Sequence, residues 1–136
     1  MPDQIKATYS VLEVGFQFPP IHHNIDAETA SKYLKATTEN SSLFQGSLLV
    51  PPLAVGAFAL DSLSQSISLP PGSIHISQEF EFMDALHVGD TIVCMACISK
   101  KQERSKMCLL TVDINITNQK DVVVLMGKTT FMLPHS

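Results

Sequence analysis

Charge is scarce in this sequence. Only 16 % of its 136 residues are Asp, Glu, Lys or Arg, against 45 % hydrophobic. That balance excludes a disordered chain, and so little charge points to apolar surface covered by a second subunit. Basic charge is the scarcer sign, with 9 Lys and Arg against 13 Asp and Glu and a net charge of −4. A nucleic-acid partner is disfavoured on those electrostatic grounds. Cysteine is also sparse, at three residues. An odd count, with no export peptide in Met1-Pro2-Asp3-Gln4, reads as a reduced, cytoplasmic protein. A membrane-length apolar run is missing too. The longest, Leu48 to Leu60, is too short to span a bilayer and contains Pro51 and Pro52. Repeats, low-complexity tracts and linkers are absent. The expectation is one soluble domain over residues 1–136 with one substantial core.

The periodicity assigns the elements. Residues 5–18 read as a strand with a change of phase at a bulge or turn near Val11: Ile5, Ala7, Tyr9 and Val11 share one face, then Leu12, Val14, Phe16 and Phe18 take over. Phe18-Pro19-Pro20 ends it. Asp26 reads as the N-cap of a short helix to about Thr38. Proline suits a first helical turn, so Pro51-Pro52 opens a second helix running to about Ser66. The stretch Leu53 to Leu63 is apolar nearly all round, which predicts a buried helix ended by Leu69-Pro70-Pro71-Gly72.

Strands follow. In Ser73 to Phe82, Ile74, Ile76, Phe80 and Phe82 alternate with His75, Ser77, Glu79 and Glu81. His87-Val88-Gly89-Asp90 reads as a turn. Thr91–Lys100, Lys106–Thr117 and Val122–Leu133 read as three longer strands with apolar residues on both faces, as in strands covered on two sides. Lys100–Ser105 and Asn118–Asp121 supply the turns between them.

Three groups of residues carry a resemblance. Gly72-Ser73-Ile74, Phe80-Glu81-Phe82 and Val88-Gly89-Asp90-Thr91 form a strand–turn–strand, with Asn118-Gln119 and Gly127-Lys128 to Leu133-Pro134 closing the chain. Thr37-Thr38-Glu39-Asn40-Ser41-Ser42-Leu43-Phe44 and Val50-Pro51-Pro52-Leu53 precede the central helix. In this layout the sequence resembles the MaoC-like enoyl-CoA hydratases and 3-hydroxyacyl dehydratases of the hot-dog superfamily. The resemblance covers nearly the whole chain. It implies an α+β hot-dog fold, a five-stranded antiparallel sheet wrapped round a long central helix near residues 52–66. It further implies a dimer, either of identical subunits or with a related hot-dog subunit, and an acyl-CoA or acyl-carrier-protein thioester as ligand. It implies no organic cofactor and no metal.

The family works with an Asp and a His on the loop before the helix. Here Glu39 stands at the Asp position and Ser41 at the family's Asn position, while Phe44 stands at the His position and cannot transfer a proton. Pro52 stands at the family's glycine and has no N–H to offer a thioester oxygen. Phe44-Gln45-Gly46 also resembles the FabZ-type dehydratases, where a His follows the glycine and an acid lies on the helix. Here Ser47 follows, and Asp61 is the helix acid. Glu39 and Asp61 are therefore the candidate catalytic acids, and Ser41, Phe44, Pro52, Leu53 and Ala57 the candidate acyl-pocket residues. Three functions stay open: a hydratase or dehydratase with an altered site, a thioesterase whose Glu39 or Asp61 activates water, and a non-catalytic acyl-binding subunit whose partner brings the Asp/His pair.

The remaining reactive residues have plainer readings. His22 and His23 have no third ligand at a usable spacing, so a metal site is not expected. His75 reads as a surface or dimer-contact residue. Cys94 and Cys97 point to opposite faces of one strand, and with Cys108 they read as inert thiols. Lys100, Lys101, Arg104 and Lys106 form the one basic cluster, either a charged hairpin turn or a contact for coenzyme A phosphates.

Overall fold

The computed structural model describes residues 12–28, 49–50 and 52–134. The elements in chain order are β1 (Ile21–Asn24), β2 (Leu49–Val50), α1 (Pro52–Ser66), β3 (Ile74–Phe82), β4 (Leu86–His87), β5 (Thr91–Glu103), β6 (Met107–Thr117) and β7 (Val123–Pro134). Five strands form an antiparallel sheet in the order β1-β5-β6-β7-β3, and β2 pairs with β4 in a small second ladder.

Strict alternation builds the sheet's centre. In β6, Cys108, Leu110, Val112, Ile114 and Ile116 are buried while the residues between them are half-buried. Cys94 of β5 lies opposite Ile116, and its Sγ accepts a hydrogen bond from Ser62 Oγ of α1 at 3.4 Å, so this is the face that meets the helix. Helix α1 turns Ala54, Val55, Phe58, Ala59, Ser62 and Leu63 inward, all buried. Each large apolar side chain so buried contributes about 1.5–3 kcal/mol. The helix stops at Ser66, ahead of Pro70-Pro71 and of Gly72, whose φ of +90° needs a residue without a Cβ.

The sequence expectation of a five-stranded antiparallel sheet round a helix at 52–66 matches this architecture. Three local expectations do not. The strand read over residues 5–18 falls partly outside the described residues. Its described part is a turn at Val14-Gly15 and a single bridge, Gln17 to Cys97. Gly15, at φ +92°, reverses the phase and leaves Val14 61 % exposed instead of on a shared face with Leu12 and Phe18. The chain then reaches β1, which the sequence reading had passed over.

In β3 a bulge between His75 and Ser77 breaks the alternation, so Ile74 and Ile76 are 51 % and 47 % exposed and do not share a buried face with Phe80. The outer face of the last strands is half-buried along β6, with Met95 and Met126 exposed. Finally, β5 runs on to Glu103, so the hairpin turn is shorter than the Lys100–Ser105 expected.

Ala27 and Glu28 take helical conformation directly after Asp26, where a helix start was expected; the residues from 29 to Thr38, over which the sequence predicts helix, lie outside the described residues. No helix among the described residues is long and apolar enough to cross a membrane.

Candidate functional site

The amino end of α1 is framed by the β2–β4 ladder, where Leu49 lies opposite His87 and buried Val50 opposite buried Leu86. Pro52 is the first residue of α1, a position where its fixed φ fits and its missing N–H breaks no helical bond. The amino end of α1 thus presents one amide fewer than a helix opened by glycine.

A hydrogen-bonded turn backs this ladder. Asp90 Oδ2 accepts from His87 N at 2.9 Å and lies 3.8 Å from His87 Nδ1, and Asp90 Oδ1 accepts from Gln119 Nε2 at 2.9 Å. Gln119 Oε1 accepts from Thr91 N at 3.0 Å, and Thr91 Oγ1 donates to Asn24 Oδ1 at 2.9 Å. Partial burial works against the Asp90 carboxylate. The hydrogen bonds from Gln119 and the His87 backbone, with the charges of His87 and Lys120, outweigh it and hold the carboxyl below its ordinary range.

Of the candidate catalytic acids, Glu39 lies outside the described residues, as do Ser41 and Phe44. Asp61 is exposed, and its main-chain oxygen accepts from Ser64 Oγ at 2.7 Å. It lies about 13 Å along the helix from Pro52 at 1.5 Å per residue, so it does not share the amino end with Glu39's expected position. Pro52 and Leu53 open α1, and Ala57 is half-buried against the core.

Other sequence-noted residues are placed plainly. His23 turns inward, its ring 5.8 Å from that of Phe58, while His22 is exposed. Among the described residues no three His, Cys, Asp or Glu side chains gather as a metal site. Cys94 is buried beneath Ser62, and burial raises its thiol pKa despite the hydrogen bond from Ser62. Lys101 Nζ donates to Glu13 Oε1 at 3.1 Å, which ties one member of the basic cluster to the Val14-Gly15 turn.

Two features escaped the sequence reading. The first is a slot for Phe80. A Cβ on Gly56 of α1 would stand 2.8 Å from Phe80 Cε2, and one on Gly127 of β7 would stand 2.9 Å from Phe80 Cδ1. The ring is therefore held between helix and sheet by two missing side chains. The signal was present, since a glycine inside an apolar helix weakens it by about 1 kcal/mol unless something packs there. The second feature is a cleft of about 640 Å³ on the outer face of the sheet, with Met95, Cys97, Asn115, Met126 and Lys128 in its lining. Asn115 Oδ1 is buried without a hydrogen-bond partner among the described residues. Neither Ala57 nor Asp61 lines this cleft.

The comparisons with known proteins agree on the fold. The family model described as "FAS1-like, dehydratase domain region" matches residues 13–126. The R-hydratase PhaJ1 from Pseudomonas aeruginosa superposes with a TM-score of 0.76 at 16 % identity, over 94 % of this chain and 86 % of that one. The MaoC-like dehydratase from Rhodospirillum rubrum gives 0.73 at 17 % identity, over 94 % and 97 %. A subunit of the HadBC 3R-hydroxyacyl-ACP dehydratase complex from Mycobacterium tuberculosis gives 0.64 at 19 % identity, over 88 % and 96 %. No curated protein sequence matches the chain. With the family match spanning most of the chain and the sheet wrapped round α1, the chain belongs to the FAS1-like dehydratase-region family and has the hot-dog fold of the MaoC-like hydratases and dehydratases.

Proposed function

We propose that this protein binds the acyl part of a coenzyme A or carrier-protein thioester, as one subunit of a MaoC-like dehydratase whose proton-transfer pair comes from a related hot-dog subunit. One observation carries the reading: proline opens α1 at Pro52, where the family places a glycine whose N–H helps hold the thioester oxygen. Phe44, at the family's histidine position, adds to it, because a phenyl ring lines an acyl pocket but moves no proton. Each missing group is worth roughly 10²–10⁴ in rate. In this reading Ser41, Phe44, Leu53 and Ala57 contribute to the acyl site and Glu39 keeps the loop's acidic character.

The similarity to a subunit of HadBC, a dehydratase complex, supports a heteromeric assembly. The test is a titration of the isolated protein with a panel of acyl-CoAs by native mass spectrometry, run beside a crotonyl-CoA hydration assay. The expected result is saturable acyl-CoA binding with little or no hydration. Absence of binding across the panel overturns the reading.

A further inference from the structure

The cleft on the outer face of the sheet measures about 640 Å³. Small-molecule sites ordinarily hold about 300–1,000 Å³. Its floor is two rows of side chains that the register sets across the strands. Alternation along β6 buries Ile114 and Ile116 toward the helix and turns Asp113 and Asn115 to the other face. Asn115 lies opposite Met95 of β5 on one side and Met126 of β7 on the other, and Met126 lies opposite Glu81 of β3. The next row runs Cys97, Asp113, Lys128, Glu79. Helix α1, which carries Ala57 and Asp61, packs on the opposite face of the sheet.

Asn115 is the exception in this floor. Its Oδ1 is buried and accepts no hydrogen bond among the described residues. An unmet buried acceptor lowers stability, and an apolar group of the same shape in its place is ordinarily neutral or stabilising. A polar group kept at such a cost inside a cleft fits a ligand that brings the missing donor. The flanking Met95 and Met126 are 47 and 46 % exposed. Methionine is unbranched and adaptable, so the two side chains can part over the amide without moving the backbone and then line an apolar body. Charge names the ligand's sign. Lys128 stands between Asp113 and Glu79, which offset it locally, and Asp113 Oδ1 also accepts from Ser99 Oγ at 2.9 Å. Glu81 ends the methionine row, and that row contains no cation. Three carboxylates against one ammonium favour a cation over an anion. Neighbouring strands lie about 4.8 Å apart, so Glu81 stands roughly 10 Å from Asn115, with Met126 between them.

We propose that this cleft binds an organic cation with a methylene body, in its simplest form an α,ω-diamine. One amine donates an N–H to Asn115 Oδ1, the methylenes lie along Met126, and the second ammonium sits beside Glu81. The roughly 10 Å between Asn115 and Glu81 sets the length of the body. Binding satisfies an acceptor that the free protein leaves unmet. The site lies across the sheet from α1 and does not depend on the acyl-thioester reading.

The probe is 1,8-diaminooctane, set against 1,8-octanediol and octanedioate, which keep the body and make its ends neutral or anionic. Calorimetric titration at low salt is run on wild type, Glu81→Gln and Asn115→Leu, and thermal unfolding is followed for each with and without the diamine. Wild type is expected to bind the diamine saturably, and the diol and the dianion at least ~5-fold more weakly. Glu81→Gln should weaken diamine binding by about 2–5-fold, as loss of an exposed ion pair does, and salt should erase that difference. Asn115→Leu carries the second readout. The free variant should melt about 2–5 °C above wild type, because the unmet acceptor is gone, yet it should lose the rise in Tm that the diamine gives wild type. A wild type that shows no saturable diamine binding overturns the proposal, as does a diol or dianion that binds equally well. So does a Glu81→Gln protein that binds as wild type does. An Asn115→Leu protein that melts no higher than wild type, or that keeps the diamine's effect, overturns it as well.

Discussion

At the scale of single residues, Phe80 and its two glycines show how local cost is accepted for packing. Glycine weakens both a helix and a strand interior, yet Gly56 and Gly127 flank one ring from opposite sides. Gly56→Ala and Gly127→Ala are each expected to destabilise by about 1–3 kcal/mol, because the added methyl would stand under 3.0 Å from the ring and force it to shift. Combining Gly56→Ala with Phe80→Leu should recover part of that loss, which a double-mutant cycle by urea denaturation measures. Additive effects would show that Phe80 is not what the glycine accommodates.

Asp90 is the titrating counterpart. Its carboxyl is held below the ordinary range, so its contribution to stability is full above the unfolded-state pKa of about 4 and is lost as pH falls through the lower folded value. Wild type should therefore lose more of its stability on acidification than Asp90→Asn, as followed by denaturation midpoints across that range.

At the scale of elements, what was legible followed regular pattern. The apolar run headed by Pro51-Pro52 marked α1, and Cys108 to Ile116 in alternation marked β6. Phe58 lies at the centre of that helix, 1 % exposed, and Phe58→Ala is expected to cost about 3–5 kcal/mol by chemical denaturation. What was not legible broke pattern. Strand β1 has four residues, two of them histidines, and is made by pairing with Asn24↔Thr91 to Ile21↔Cys94 rather than by any periodicity of its own. The β3 bulge was hidden because His75, Ile76 and Ser77 alternate in sequence while the register against β7 slips by one. The turn expected near Val11 lies at Val14-Gly15 instead, a shift that the pattern hides because Leu12, Phe16 and Phe18 remain apolar across it.

At the scale of the molecule, the fold followed from element order, and the site followed only from resemblance. No spacing in the sequence brings Glu39 to the amino end of α1; that placement is an implication of the resemblance alone. The proposed reading rests on the pair of substitutions that the resemblance implies, a phenyl for an imidazole at Phe44 and a proline for a glycine at Pro52. If the chain binds acyl thioesters without turning them over, Glu39→Gln and Asp61→Asn should each leave acyl-CoA binding intact and reveal no hydrolysis to lose. Loss of a measurable hydrolysis in Glu39→Gln alone, with binding kept, would instead assign a thioesterase.

The most direct measurement is the binding and turnover of crotonyl-CoA by the protein alone, followed in one sample by calorimetric titration and by the absorbance of the enoyl thioester. A saturable binding isotherm with an unchanged enoyl absorbance is the expected result. Turnover at an ordinary enzyme's kcat of about 10 s⁻¹ would contradict it, as would a flat isotherm.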